Sequence, residues 1–157
     1  MRKRIISSSS ENVSTTNQNW VDLEPLVQVE ITSEDVEHPI ESALTPGRGS
    51  GWRAARAGEQ IIRLLFDKPQ RIRRIHLLFC EDKKERTQEF VLRWSPNHGQ
   101  SYTEIVRQQY NFSPPAVTDE LEDYFVNLEG VAALDLRIIP DISGGQACAS
   151  LAQFRVA

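Results

Sequence analysis

Residues 60–95 read QIIRLLFDKPQRIRRIHLLFCEDKKERTQEFVLRWS and carry the clearest strand pattern of the chain. Apolar residues alternate with polar ones in three runs, 60–66, 71–79 and 88–95. A period of two, with aromatic and β-branched enrichment, predicts half-buried strands. Between the first two strands, we expect residues 67–70, DKPQ, to form a turn that reverses the chain. The predicted inward residues are Ile62, Leu64, Phe66, Ile75, Leu77, Phe79, Phe90, Leu92 and Trp94.

Further alternating segments lie on both sides of this stretch. They are residues 26–32, 103–109, 120–128, 133–140 and 149–156. Turn residues, among them a predicted turn at 129–132, recur at a spacing of roughly 8–12 residues. About eight antiparallel strands and no convincing helix predict an all-β sandwich or barrel.

The composition indicates one folded domain preceded by a polar segment. The chain has 157 residues, 39% hydrophobic and 25% charged, which is ordinary for a single globular domain. Residues 1–19 combine a basic start, MRKR, with mostly Ser, Thr, Asn and Gln, so we predict a flexible arm there and a folded domain over 20–157. No apolar run exceeds four residues, whereas a membrane helix needs about 20. We therefore predict no membrane partner.

Charge and cysteine content narrow the partners and the compartment. The net charge of −4 argues against nucleic acid as the main partner. Cys80 and Cys148 are too few for a disulfide framework, and we expect both to be reduced and buried. The basic start lacks the apolar stretch of a secretory signal. Together these features predict a cytoplasmic protein.

Strand order predicts which loops share an end of the domain. If neighbouring strands run antiparallel, successive loops fall on alternate ends. The short turns at 67–70, 96–101 and 129–132 would then share one end with both termini. Longer loops, rich in aromatic and charged residues, would gather at the opposite end, where we expect a ligand to bind. These loops are residues 45–56, 80–87, 110–119 and 141–147.

A set of short segments carries a family resemblance. The set is SGW at 50–52, QIIRLLF at 60–66, IRRIHLLF at 72–79, FVLRWS at 90–95 followed by Gly99 and Tyr102, LRIIP at 136–140, and the closing strand at 151–156. In this order and spacing, the chain resembles the coagulation factor V/VIII type C, or discoidin, domain. That family has the galactose-binding-like jelly-roll sandwich, which many bacterial carbohydrate-binding modules share.

The resemblance implies a non-catalytic recognition module with its ligand loops opposite the termini. A carbohydrate ligand is the first expectation, and an intracellular protein–protein interaction module on the same fold is the alternative. The family's calcium loop usually has an acidic residue before its Thr-x-Trp segment, whereas residues 42–47, SALTPG, contain none. The sequence therefore argues against the calcium site, and we predict no cofactor. Together with the lack of the terminal cysteines of secreted members, this favours an intracellular or bacterial relative.

The glycine-rich loop holds three candidate ligand-binding residues, Arg48, Trp52 and Arg53. An exposed Trp flanked by arginines would form a stacking platform for a sugar ring. The alternative is that Trp52 caps the core and the arginines are solvated. The sequence leaves both interpretations open.

Two more loops hold the remaining candidate binding residues. In the charged loop, Glu81 and Arg86 could bind sugar hydroxyls, although such loops are mostly solvated turns. In the segment YNFSPP at 110–115, Tyr110, Asn111 and Phe112 could present a preordered contact surface or be tucked under an arch between sheets.

Catalytic and metal-binding patterns are missing from the sequence. His38, His76 and His98 are widely separated, without metal-ligand spacing or a Cys-x-x-Cys partner. No paired-carboxylate spacing, phosphate loop or dinucleotide fingerprint occurs. We therefore predict no enzyme activity, no catalytic residue and no metal ligand.

Overall fold

The computed structural model of the chain describes residues 20–47 and 50–157. The predicted N-terminal arm and Arg48 lie outside the described residues. Eight strands and one short helix make up the described chain. The elements are β1 (Val27–Ile31), α1 (Glu41–Leu44), β2 (Trp52–Ala57), β3 (Gln60–Cys80), β4 (Arg86–Ser95), β5 (Thr103–Phe112), β6 (Asp119–Ile139), β7 (Cys148–Leu151) and β8 (Gln153–Val156).

The strands pair antiparallel throughout. One sheet has the order β1-β3-β6-β4-β5, with β8 also paired to β3, and β2 and β7 form a separate pair. Strands β3 and β6 have 21 residues each and pair along nearly their whole length. The first half of β3 pairs with β1 and its second half pairs with β8, so the two halves belong to different layers of the molecule.

The two turns predicted at residues 67–70 and 129–132 are bends instead, because both segments stay within one continuous ladder. Strand β3 advances from Leu65 to Gln70 while its partner β6 covers only Val131 to Ala133, so β3 carries the extra residues of a bulge. Pro69 lies within this bulge, where a missing N–H is tolerated. Opposite it, Gly130 takes φ +68°. The two bends together turn both strands from one layer into the other.

The layers enclose a single apolar core. Ile62, Leu64 and Phe66 from the first half of β3, and Ile75, Leu77 and Phe79 from the second half, are at most 1% exposed. The rings of Phe79 and Phe90 lie 5.1 Å apart across the layers. The alternation in residues 60–95 thus predicted the core face of three segments correctly, apart from Trp94, which is half-buried.

The predicted grouping of loops is confirmed. At the bent end, the Asp67 N–H donates to Leu26 O at 2.9 Å, and the Val21 N–H donates to Val156 O at 2.8 Å, so the first described residues and the C-terminal strand lie there. At the opposite end, the Ile142 N–H donates to Thr87 O at 2.9 Å, which joins two of the long loops.

Residues 33–58 contain more structure than their weak periodicity indicated. They include α1 and β2, and β2 pairs with β7 through Trp52 and Leu151. The Arg155 guanidinium, held in the interior, donates to Ala43 O at 2.6 Å and fastens α1 to β8. Within residues 20–47 and 50–157, no helix is long and apolar enough to span a bilayer.

Candidate ligand-binding cleft

A cleft of about 400 Å³ opens at the loop end of the sandwich. Five separate chain segments meet around it, and most of its lining side chains are polar. The lining residues are His38, Ser50, Trp52, Arg53, Cys80, Glu81, Asp82, Thr118, Asp119, Ser150, Leu151 and Ala152.

One wall of the cleft depends on a glycine. Gly51 takes φ +95°, and a Cβ on it would lie 2.5 Å from Leu151 O and 2.6 Å from Ala152 Cα. Only glycine combines this left-handed conformation with such a close approach. The contact presses the start of β2 against the junction of β7 and β8 and so fixes the position of Trp52 and Arg53.

Trp52 supports the cleft from inside. It is 1% exposed, and its Nε1–H donates to Ser33 O at 3.0 Å. A stacking platform needs an open ring face. Trp52 is therefore buried and caps the core, and it does not form an exposed stacking platform.

Arg53 and His38 supply the cationic and imidazole groups of the lining. Arg53 follows Trp52 in β2 and is exposed, and its N–H donates to His38 O at 3.1 Å. The Nδ1 atom of His38 lies 3.0 Å from Asp35 Oδ2, which orients the ring. The hydrogen bond from His38, then that from the Glu37 N–H, lowers the pKa of Asp35. The Arg53 guanidinium and the oriented His38 ring can bind oxygen atoms of a ligand.

Two carboxyl groups also line the cleft. Asp82 and Asp119 are exposed there, beside Cys80. Desolvation in the cleft wall, followed by the hydrogen bond to Asp119, raises the pKa of the Cys80 thiol to about 11. Cys80 is exposed and Cys148 is half-buried, so the prediction that both cysteines are buried is wrong. A neutral thiol with so high a pKa is a weak nucleophile at neutral pH.

Beneath the cleft, Arg86 organises a buried polar network. Its Nε donates to Glu81 Oε1 at 2.7 Å, and its Nη1 donates to Pro140 O at 2.7 Å and to Gln88 Oε1 at 3.2 Å. Burial opposes the ionisation of Glu81, but the hydrogen bonds from Arg86 and the Lys83 N–H outweigh it and lower the pKa of Glu81. Arg86 is 3% exposed, so it holds Glu81 in place from below.

The network continues to a second buried carboxyl, Glu120. Gln88 Nε2 donates to Glu120 Oε1 at 3.1 Å. Glu120 is 1% exposed. Desolvation, followed by the hydrogen bond with Glu122, raises the pKa of Glu120 well above its usual range. Glu120 is therefore protonated and neutral at neutral pH.

The candidate residues of the YNFSPP segment lie outside the cleft lining. Phe112 is fully buried, beneath the Arg86 guanidinium at 4.8 Å from its ring centroid. The Tyr110 hydroxyl donates to Asp119 O at 2.7 Å, and Asn111 Oδ1 accepts from Thr87 Oγ1 at 3.0 Å. Tyr110 thus braces the cleft wall from outside, and Phe112 takes the tucked position that the sequence left open.

Three of the eight candidate residues meet in the cleft, namely Trp52, Arg53 and Glu81. Arg86 supports it from below, and the ligand contacts of the whole set stay a prediction. The sequence interpretation missed His38, Asp82 and Asp119. The available signal was weak: Asp82 and Asp119 lie in loops predicted at this end, whereas nothing in the sequence linked His38 to them.

A calcium site does not fit the residues present. Within the described ranges 20–47 and 50–157, no three His, Cys, Asp or Glu side chains lie close enough together to hold a metal ion. Residues 42–44, in the expected calcium loop, belong to α1, where Ala43 and Leu44 are buried. A calcium ion needs several oxygen ligands, which this loop does not offer from its side chains.

The chain matches no family model and no curated protein sequence. Its fold, however, is that of several solved carbohydrate-binding modules. A pectin-binding module is 20% identical with a TM-score of 0.60, covering 83% of this chain and 89% of that one. The family 32 module of AlyQ, in complex with 4,5-unsaturated mannuronic acid, is 17% identical with a TM-score of 0.59, covering 84% and 95%. The family 32 module of NanJ from C. perfringens, in complex with galactose, is 14% identical with a TM-score of 0.62, covering 86% and 96%.

At these identities, the likeness establishes the fold alone. The molecule is a galactose-binding-like β-sandwich, as the resemblance implied. Membership of the discoidin family itself stays a prediction. The three neighbours are binding modules, which fits a domain without catalysis of its own.

Proposed function

We propose that the chain is a non-catalytic carbohydrate-binding module that holds an uncharged sugar in the cleft at its loop end. One observation carries this proposal: polar groups from five chain segments converge on a single cleft at the end of a rigid sandwich. Binding residues on loops above a rigid scaffold are the usual arrangement of a recognition site. The solved neighbours on this fold, described as binding pectin, a mannuronic acid or galactose, support the ligand class.

The chemistry of the lining suits hydroxyl groups. A sugar hydroxyl both donates and accepts hydrogen bonds. The Asp82 and Asp119 carboxylates accept, and the Arg53 guanidinium donates. A volume of about 400 Å³ lies near the lower end of ordinary ligand pockets. The cleft therefore fits one or two sugar rings better than a long chain.

The charge of the lining favours an uncharged sugar over a uronate. Asp82 and Asp119 face one exposed guanidinium, Arg53, because Glu81 is already paired with Arg86. An anionic sugar would meet more negative than positive charge there. We therefore expect galactose-type sugars to bind and uronates to be disfavoured.

The compartment is proposed on the state of the thiols. Cys80 and Cys148 are unbridged, and Cys80 is exposed at the cleft. An exposed free thiol persists best in a reducing environment. A cytoplasmic location remains our proposal on this ground, and sugar binding does not depend on it.

The test is a glycan-array screen followed by calorimetric titration of the sugar that binds. Arg53→Ala removes the exposed guanidinium and should weaken binding at least about tenfold, which corresponds to about 1.4 kcal/mol. Arg56→Ala is the matched control, since Arg56 is exposed on the same strand but does not line the cleft. Its affinity and melting temperature should equal those of the parent.

Two outcomes would refute the proposal. A well-folded sample that binds no glycan would exclude carbohydrate recognition. Equal affinities of the Arg53→Ala and Arg56→Ala variants would show that the sugar binds outside the cleft. A preference for uronates would refute the expected selectivity for uncharged sugars, but not sugar binding itself.

A further inference from the structure

A second concave surface, separate from the cleft, lies along β1. It has a volume of about 390 Å³ and lies between β1 and the segment around α1. We call it the β1 groove, and it shares no lining residue with the cleft. Its lining residues are Glu24, Val27, Val29, Ile31, Glu34, Ile40, Glu41, Leu44 and Thr45.

The floor of the β1 groove is apolar. Val27, Val29 and Ile31 are the alternate residues of β1 that face the core, yet each is only half-buried. Ile40 and Leu44 complete the floor from the side of α1. The sandwich therefore leaves apolar surface uncovered along the side of this strand, and apolar surface in a groove favours an apolar occupant.

The strand beside the groove also has an unpaired edge. The Thr32 N–H donates to Ile61 O, and the Asp67 N–H donates to Leu26 O, at 3.1 and 2.9 Å. In an antiparallel pair, hydrogen-bonded and non-hydrogen-bonded positions alternate. The even-numbered residues of β1 thus bond to β3, and the N–H and C=O groups of Val29 and Ile31 point to the free edge. Within residues 20–47 and 50–157, these groups have no hydrogen-bond partner.

The rim of the groove is acidic. Glu34 and Glu41 are exposed around it, and no lysine or arginine of the described ranges lines it. Glu34 Oε1 accepts from the Ile40 N–H at 2.9 Å, which holds one rim position rigid. Lysine or arginine side chains of an occupant would complement this rim.

We propose that the β1 groove binds an extended peptide segment of another protein as an added strand beside β1. The free N–H and C=O groups of Val29 and Ile31 would pair with the peptide backbone, as in strand addition to an exposed sheet edge. Alternate apolar side chains of the peptide fit the floor. Side chains between them point to the other face of the added strand, so lysine or arginine residues at the ends of the paired stretch are the ones that fit the glutamate rim. This site is additional to the sugar cleft and does not rest on it.

The probe is a ten-residue synthetic peptide of alternating valine and lysine, blocked at both ends and titrated into the full-length protein. The matched control peptide alternates valine and glutamate. We expect the lysine peptide to bind with an affinity that falls as salt is raised, and the glutamate peptide not to bind. The sugar that fills the cleft should leave this affinity unchanged.

Two variants locate the peptide. Glu41→Lys reverses one rim charge on an exposed position and should weaken binding about tenfold. Val29→Pro removes an N–H that faces the free edge and not β3, so the sheet should persist while pairing with the peptide is lost. A melting temperature near that of the parent confirms that each variant is folded.

Several results would overturn the proposal. Equal binding of both peptides would mean that charge plays no part. Unchanged affinity in Glu41→Lys, or in a folded Val29→Pro protein, would place the peptide elsewhere. Concentration-dependent dimers in analytical ultracentrifugation that Val29→Pro abolishes would show that a second copy of the chain, and not a peptide, occupies the edge.

Discussion

The cleft and the β1 groove have nearly equal volumes, about 400 and 390 Å³, but opposite constructions. The cleft is built from side chains of five segments, and buried hydrogen bonds around Arg86 support it. The groove lies along one strand, over half-buried Val27, Val29 and Ile31 and beside unpaired backbone groups.

Concavity alone therefore does not define the kind of ligand that a site binds. Converging side chains with fixed donors and acceptors can recognise a compact polar molecule, whereas a free strand edge with a row of apolar residues can recognise an extended chain. Substitutions that damage the support of the cleft should therefore leave the groove intact, and this asymmetry can be tested.

The largest effect is expected from Gly51→Ala. The new Cβ would overlap Leu151 O and Ala152 Cα, and the residue would be strained at φ +95°. We expect a loss of about 4 kcal/mol in the free energy of unfolding, measured by urea denaturation. Sugar binding should be lost, while the folded fraction still binds the lysine peptide.

Gly58→Ala is the control for this substitution. Gly58 has φ +92° but open space around its would-be Cβ. It should therefore lose only about 1 kcal/mol from the left-handed conformation. Equal losses in the two variants would mean that the close contact at Gly51 does not matter.

A somewhat smaller loss is expected from Arg86→Met. The variant keeps the apolar stem over Phe112 but removes the donor to Glu81 Oε1, Gln88 Oε1 and Pro140 O. We expect a loss of about 3 kcal/mol in the free energy of unfolding and weaker sugar binding, because Glu81 is no longer held in the wall. Peptide affinity should not change.

Arg107→Met provides the surface counterpart. The Arg107 side chain is 53% exposed and pairs with Glu89 and Glu104, so its loss should change stability by at most about 0.5 kcal/mol. If the two arginine variants proved equally stable, the buried network would not be what supports the cleft.

The third substitution at the cleft, Glu120→Gln, should have a smaller effect than Gly51→Ala and Arg86→Met, and one of opposite sign. The raised pKa of Glu120 keeps it protonated in the folded protein, whereas the unfolded chain ionises near its usual value of 4.5. The parent therefore loses stability as the pH rises above that value towards the folded pKa. Glutamine does not ionise and still accepts from Gln88, so the variant should be more stable by about 2 kcal/mol near pH 8.

The difference in the free energy of unfolding between Glu120→Gln and the parent should disappear as the pH falls towards about 4, where Glu120 is protonated in both states. Urea denaturation at several pH values measures it. Glu85→Gln, on an exposed loop, should follow the parent throughout. A stability gap that does not vary with pH would disprove the burial of a neutral carboxyl under the cleft.

Local alternation predicted the core well, because burial on one face repeats every second residue. Ile62, Leu77 and Phe90 all followed their pattern. The bends at residues 67–70 and 129–132 were predicted as turns between separate strands, since Pro69 and Gly130 are equally suited to a turn and to a bulge. Only the long-range pairing of β3 with β6 distinguishes these two possibilities.

The candidate site was less predictable, because its residues are adjacent only in space. Arg53 and Glu81 were identified from loop chemistry, and both line the cleft. His38 was missed because its neighbours in the cleft are at least twelve positions away in the sequence, beyond the reach of any local pattern. The exposure of Trp52 depends on Ser33 and Gly51 together, which composition does not reveal.

Because β3 and β6 pass through both layers, we expect the two layers of the domain to open together. In a sandwich whose layers are joined only by loops, one sheet can fray while the other survives. Here a single ladder of paired residues, from Gln60–Ile138 to Cys80–Asp119, runs through both layers and connects them. We therefore expect amide protons along this ladder to exchange as one cooperative unit in both layers.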